Sequence, residues 1–438
     1  MNNYLLIILI LLSNLIYAQD TLSLVDALKI GLNNNYDIQI SKKKKDINIV
    51  NNSWSNAGAL PTINISANKE ESISDQSNNP TSFVPYQIKS SSINANANIK
   101  WTLFNGFAIR ANKKRLENLE HISNNNTVLT IENTIQGIIL QYYNCIIQKR
   151  KVKLLQRVVK IAKERLEHQK TKYEIGVSSK IDLLQIENAM LTDSSNLILQ
   201  QLNYINSQKN LNLTLGQETN KAWFLIDKMN NDIKLYNLKD LENSTISNNT
   251  NIRNQYFNLQ LSKQDIKLTM TPFYPIISLN SGAAYNESTY DIGDLSNTMD
   301  NTGESINFFA NFSLNLRLFD GGKLYQNIKA LKIQNQINEL QFNKVTKDVL
   351  HELSLLYDDY KSRINSYNLN KKAFEIAKTN YDLANEKENR GVINSFMFRD
   401  IETAYINSGI NFQQATYNLI ESKISLIKIT GGIIQEYN

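Results

Sequence analysis

The sequence predicts a mainly α-helical chain with a membrane β part: long coiled helical hairpins, and four β-strands that make one subunit's share of a larger barrel. Three observations carry this. The chain repeats itself at a fixed spacing, each copy contains segments alternating strictly between apolar and polar residues, and each copy ends in heptad seams. The 438 residues, 42% apolar and 20% charged, provide ample material for packing and show no bias toward disorder.

The duplication organises everything else. Leu103-Phe104-Asn105-Gly106 recurs as Leu318-Phe319-Asp320-Gly321, a shift of 215. Gly176-Val177 recurs as Gly391-Val392, Gln185-Ile186-Glu187 as Asp400-Ile401-Glu402, and Leu215-Gly216 as Thr430-Gly431, all at that shift. Pro61 matches Pro275. The expected domains are a signal peptide at 1–18 and two repeats, 19–220 and 221–438. Each repeat holds a short entry helix, a β-hairpin (about 60–104 and 275–319) and a helical hairpin (about 106–215 and 321–430).

The signal peptide rests on the apolar run Leu5 to Leu12 followed by Ser13, Asn14 and the small-residue exit Tyr17-Ala18-Gln19. A membrane anchor needs about 20 apolar residues, and the run is too short. No later stretch approaches that length, so a membrane crossing by the mature chain has to be a closed β-barrel. The lone Cys145 excludes an internal disulfide and a cysteine-clustered metal site, and it lies far from the signal exit where a lipoprotein carries its acylated cysteine. A net charge of +6 is mild for this size and gives no reason to expect nucleic acid. His121, His168 and His351 fall at no ligand spacing, so no metal is expected. No Gly-rich phosphate loop or nucleophile motif points to an enzyme or a cofactor.

From Ile93 to Leu103 the odd positions are Ile93, Ala95, Ala97, Ile99, Trp101 and Leu103, against Asn94, Asn96, Asn98, Lys100 and Thr102. This is the pattern of a tilted barrel strand with one face to lipid and one to water. The second copy gives Phe312, Leu314, Leu316 and Leu318 against Asn311, Ser313, Asn315 and Arg317. Weaker partner strands follow the two prolines: Ile63, Ile65 and Ala67, then Ile277, Leu279, Ser281 and Ala283. Trp101, Phe104, Phe107, Tyr285, Phe308 and Phe319 are placed near strand ends as an aromatic girdle. Polar loops are expected at 73–92 and 286–305. Strands of a soluble sandwich would read alike one by one. Four strands cannot close a barrel, and unpaired edges in hydrocarbon are costly. Two chains give a barrel filled by side chains, whereas three give twelve strands and an aqueous lumen. Lys100 and Arg317, on the watery strand face, would tune that lumen toward anions.

The apolar series Val152, Leu155, Val159, Ala162 and Leu166 continues through Gln169 to Tyr173 in three-four alternation. Leu183, Met190, Leu197, Tyr204 and Leu211 form a heptad seam that reappears as Phe398, Tyr405, Phe412, Leu419 and Leu426. A second column, Leu184, Leu191, Ile198 and Ile205, widens the first copy's stripe to suit two neighbours. A helix from Gly106 to about Tyr173 would run on the order of 100 Å, with Gly176 and Gly391 ending helices at the far tips. Heptads alone also fit a coiled-coil stalk; the alternating strands weigh against it. Ser23 with Asp26 reads as a capping box, and Lys42 to Lys45 as a solvated helix face.

The order of signal peptide, entry helix Leu22 to Leu32, Leu60-Pro61, Leu103-Phe104-Asn105-Gly106 and Gly176-Val177, in both halves, resembles the TolC-like outer-membrane factor family over essentially the whole mature chain. The resemblance implies a homotrimer with a twelve-stranded outer-membrane barrel and a periplasmic α-barrel, in a Gram-negative cell. It would serve a tripartite efflux or type I secretion system as passive exit duct, without cofactor or catalysis. A periplasmic or surface coiled-coil scaffold or adhesin is the alternative. The implied partners are a periplasmic adaptor, an inner-membrane pump of RND or ABC type, and outer-membrane lipid. The helical tips at Gly176, Val177, Gly391 and Val392 would dock the adaptor. Gating carboxylates fall at Asp182 and Asp400; a third family aspartate position holds Met397, and the family's linking arginine falls at Ile393. Asp400 in three subunits would form a carboxylate ring favouring cations.

Overall fold

The computed structural model describes residues 20–82, 87–227, 233–291 and 302–437; the expected signal peptide lies outside them. The protein is mainly helical with a few strands. The first half contains β1 (Asp20–Leu22), α1 (Leu24–Asn34), α2 (Tyr36–Asn51), β2 (Thr62–Asp75), β3 (Gln87–Asn105), α3 (Ala108–Glu174) and α4 (Lys180–Leu215). The second contains β4 (Trp223–Leu225), α5 (Leu238–Asn248), α6 (Thr250–Met270), β5 (Ile276–Asp291), β6 (Thr302–Asn315), α7 (Lys323–Asn389), α8 (Ser395–Ile429) and the short α9 (Ile433–Glu436). No helix among the described residues is long and apolar enough to cross a membrane.

The chain folds into two compact units that cut across the repeats. One is drawn from Lys45–Ser123 and Asn254–Phe342, the other from Met1–Lys44, Asn124–Arg253 and Asn343–Asn438. The first unit carries a four-stranded antiparallel sheet in the order β2-β3-β5-β6. Its strands are longer than the apolar alternation marks out, and they take in both ends of each expected loop segment: 73–75 and 87–92 of the first, 286–291 and 302–305 of the second. Glu70 faces Ser92 and Ser72 faces Ser90, with the two serine hydroxyls 2.8 Å apart. A ladder is held by backbone bonds that hydroxyl side chains do not interrupt. Lengthening moves Tyr285 and Phe308 to mid-ladder, opposite Ala95 and Ala283, so they leave the expected strand-end girdle. Trp101 keeps its place near the end of β3, where its indole N–H donates to the Ala59 carbonyl at 2.9 Å.

Two further departures sit at the strand ends. Leu103 is the extra residue of a β-bulge: Thr102 faces Ser278 and Phe104 faces Ile277, which places Phe104 on the apolar side beside Leu103. In the second copy β6 stops at Asn315, the residue opposite Ile276. Pro275 precedes that residue and has no N–H to extend the ladder. Leu316, Arg317 and Leu318 therefore lie beyond the strand, and Arg317 is not a strand residue.

The second unit is built on the helical hairpins. Its core joins the parallel β1–β4 pair to α1, α3, α4 and α8 through Leu22, Leu28, Ile138, Tyr142, Leu211, Trp223 and Ile424. Ser23 caps α1 as expected, accepting from the Asp26 N–H at 3.1 Å. The α3 series Val152, Leu155, Val159, Ala162 and Leu166 is buried, whereas Tyr173 near the tip is exposed. Helices α3 and α7 each run 67 residues.

Candidate functional site

Three parts of the molecule bear on function. The first is the sheet. In register across it run Ile65 and Ala97, then Trp101, Leu279 and Phe312, then Phe104, Ile277 and Leu314. The large members of this face are exposed, among them Ile63, Ile65, Trp101, Phe308, Phe312 and Leu314. The opposite face sets Asn64 against Asn98, Thr62 and Asn280 beside Lys100, and Ser278 against Ser313. A sandwich would cover the apolar face with a second sheet. One apolar face open and one amide-and-hydroxyl face is the composition of a wall between hydrocarbon and water. Among the described residues, strands β2 and β6 form the edges, each paired on one side.

The second part is the pair of hairpin tips. Helices α3 and α7 end alike: the Val177 N–H donates to the Lys172 carbonyl and the Val392 N–H to the Lys387 carbonyl, both at 2.9 Å. Gly176 (φ 78) and Gly391 (φ 75) take the left-handed conformation this motif requires. Val177 and Val392 are exposed at the turns. Ser179 and Asn394 then cap α4 and α8. Asp182 completes a capping box, its carboxylate accepting from the Ser179 hydroxyl at 2.7 Å. Met397 occupies the matching position of α8, and its N–H donates to Asn394 Oδ1 at 2.9 Å. Asp400 is exposed, one turn further along. Ile393 packs against the apolar cluster around Tyr381 and Phe398.

The third part was not foreseen in the sequence. Just behind the tips, all four long helices meet through charges. Arg399 of α8 holds Asp193 of α4 with two bonds, at 2.6 and 3.0 Å, and Glu402 of its own helix at 2.8 Å. Arg165 of α3 reaches Glu388 of α7 at 3.3 Å and Glu402 at 3.9 Å, with its guanidinium 3.9 Å from the Phe398 ring centre. Asp193, Arg165 and Glu402 are buried. Burial pushes the Glu402 carboxyl above the usual carboxylate range, while bonds to Asp193 hold Arg399 firmly charged. The cluster thus ties α3, α4, α7 and α8 to one another, and removing one partner would leave a buried charge uncompensated. The available signal is a break in the repeat: Arg399 stands where the other copy has Leu184, and Asp193 where it has Ser408.

Among the described residues no group of histidine, cysteine or carboxylate side chains could hold a metal. The profile of the outer membrane efflux protein family matches the chain twice, over residues 32–217 and 241–432. The chain belongs to the outer membrane efflux protein family. It is thus a TolC-like outer-membrane efflux channel protein, of a family and fold that are not those of enzymes. Its fold is similar to that of the Campylobacter jejuni outer-membrane channel CmeC, with a TM-score of 0.75 at 16% identity, covering 93% of this chain and 85% of that one. CusC gives 0.75 at 14%, covering 93% and 92%. The open state of the Neisseria gonorrhoeae channel MtrE gives 0.69 at 16%, covering 93% and 89%. No curated protein matches the chain.

Proposed function

We propose that this chain is one subunit of a trimeric exit duct in the outer membrane of a Gram-negative bacterium. Its four strands would form a third of a twelve-stranded barrel, and its helical hairpins a third of a tube reaching into the periplasm. The observation that carries the reading is a pair of apolar seams left uncovered. On α4, Leu184, Leu191, Ile198 and Ile205 are 49–65% exposed. On α7, Leu369, Ile376 and Leu383, again seven apart, are 52–71% exposed. Within the chain the corresponding columns meet. Leu154 and Ile161 of α3 share a core cluster with Ile406 of α8, and Leu154 lies against Gly409. Moving both partners by one repeat turns α3 into α7 and α8 into α4. Leu383 then falls beside Leu184, Ile376 beside Leu191, and Leu369 beside Ile198. Uncovered seams of that length are costly in water, and pairing them head to tail between copies closes a ring.

In this assembly solutes leave passively, energised by an inner-membrane pump of RND or ABC type joined through a periplasmic adaptor at the tips around Val177 and Val392. Gating falls to the same tips. Asp400 is free to face the mouth, whereas Asp182 is engaged in capping. Lys100, on the polar strand face, would line the lumen. Reconstitution of the purified protein in planar bilayers tests the function. Discrete single-channel steps are expected; a coiled-coil scaffold gives none, and their absence would overturn the proposal.

A further inference from the structure

At the start of α3, Phe107, Arg110 and Lys114 follow one helix face at i, i+3 and i+7. Opposite them, Lys267 and Met270 of α6 and Tyr274 beyond it form the other wall of a groove of about 380 Å³. Gly106 lets the walls close. A Cβ there would stand 2.4 Å from the Thr271 carbonyl oxygen, and φ is +64. Phe107 follows at φ 68, a strained conformation for a bulky residue. Its ring packs edge-on against Phe104 at 5.2 Å and Tyr274 at 5.7 Å. Phe104 belongs to the apolar sheet face, so an aromatic path leads from that face to the groove, where the cations begin. Arg110 lies 6.0 Å over the Phe107 ring. Lys114 is shared with Glu117 at 2.8 Å; among the described residues neither Arg110 nor Lys267 has an ion-pair partner. The repeat does not duplicate the groove: Gly322 and Tyr325 replace Phe107 and Arg110, and nothing lies within 4 Å of a Cβ on Gly321.

We propose that this groove binds a membrane glycerophospholipid, its phosphate held by Arg110, Lys267 and Lys114 and its acyl chains lying over Phe107 and Phe104 toward the apolar face. The inference rests on reading the sheet as a membrane wall. Cations just beyond an apolar band stand at headgroup level, with aromatic rings at the boundary. Free phosphate could use the cations but not the exposed Phe107, Met270 and Tyr274 that adjoin them.

The test is native mass spectrometry of the full-length protein, extracted from the outer-membrane fraction, with added phosphatidylglycerol. A saturable lipid adduct is expected. At about 1 kcal/mol for each cation, Arg110→Ala/Lys114→Ala/Lys267→Ala should weaken it about a hundredfold. Lys267→Glu alone should weaken it about tenfold or more, which keeps the test sharp if the triple variant misfolds. Phe107→Ser should also weaken it, and Lys160→Ala/Lys163→Ala should not. Inorganic phosphate at millimolar concentration should leave the adduct in place. Equal lipid retention by the charge variants, or displacement by inorganic phosphate with no effect of Phe107→Ser, overturns the groove proposal alone if the protein still conducts. Absence of the protein from the membrane fraction overturns the membrane-wall reading and the groove with it.

Discussion

Helices α4 and α8 carry the same heptad seam, yet their second columns have different surroundings. In α8 that column is Arg399, Ile406, Gln413 and Ile420, all buried or half-buried within the chain; in α4 it is Leu184, Leu191, Ile198 and Ile205, all exposed. The first seam, from Leu183 to Leu211 and from Phe398 to Leu426, is buried or half-buried in both. The difference separates two tasks that duplication made alike. A column sealed inside one chain tolerates a charge such as Arg399, because Asp193 and Glu402 are fixed beside it. In the proposed assembly the α4 column is sealed only by a sister copy and would stay apolar, since a surface shared between chains gains most from non-directional burial.

The comparison breaks most visibly under charge. Leu191→Glu/Ile198→Glu should abolish trimers while the helices remain, because each leucine or isoleucine loses about 1.5–3 kcal/mol of burial at every interface. Ile406→Glu, at the equivalent of Leu191, should instead unfold the hairpins. Sedimentation in detergent with circular dichroism separates the two, and identical behaviour would erase the distinction. Next in size is Asp193→Ala, which should cost about 3 kcal/mol, the low end for a broken buried pair, since Arg399 is 32% exposed. A thermal melt reads this as a clear fall in Tm. The corresponding Ser408→Ala in α8, whose hydroxyl donates to the Tyr405 carbonyl at 3.0 Å, should cost less.

The acid response sharpens the picture further. The Glu402 carboxyl is raised above its ordinary value of 4.5, first by burial. A raised folded-state value means the native state binds the proton more tightly than the unfolded chain does. This contribution is therefore full below about 4.5 and is lost as pH rises through the folded value. Glu402→Gln should flatten stability against pH in that window, and an unchanged slope would remove Glu402 from the acid response. The smallest effects belong to the tips. Asp182→Ala should cost about 1 kcal/mol through the lost capping box. Asp400→Ala should leave stability within about 0.5 kcal/mol, yet raise conductance and weaken block by multivalent cations. An unchanged conductance would remove Asp400 from the gate.

Periodic features were legible because they depend on spacing alone. The heptad seam, the tip glycines and the alternation from Ile93 to Trp101 all lie in elements of the corresponding kind. What spacing does not encode was missed. The ladder runs through Ser72 and Ser90 because backbone groups hold it, and Arg317 falls off the sheet because Pro275 ends its partner strand. Spacing from the tip glycine places Asp182 at a gating position, but it does not encode the capping box that Asp182 makes with Ser179. Arg165, Asp193, Glu388 and Arg399 look like ordinary surface charges until four helices converge on them.

The central claim is that the α4 seam is completed by α7 of a sister chain, and disulfide trapping of Leu191→Cys/Ile376→Cys tests it directly. The native Cys145 does not compete: it is buried, and burial pushes its thiol up to about 11. Mild oxidation of the outer-membrane protein should give a covalent ladder ending at the trimer on denaturing gels. A crosslink confined to single chains, or none under conditions where the protein is folded, would contradict it.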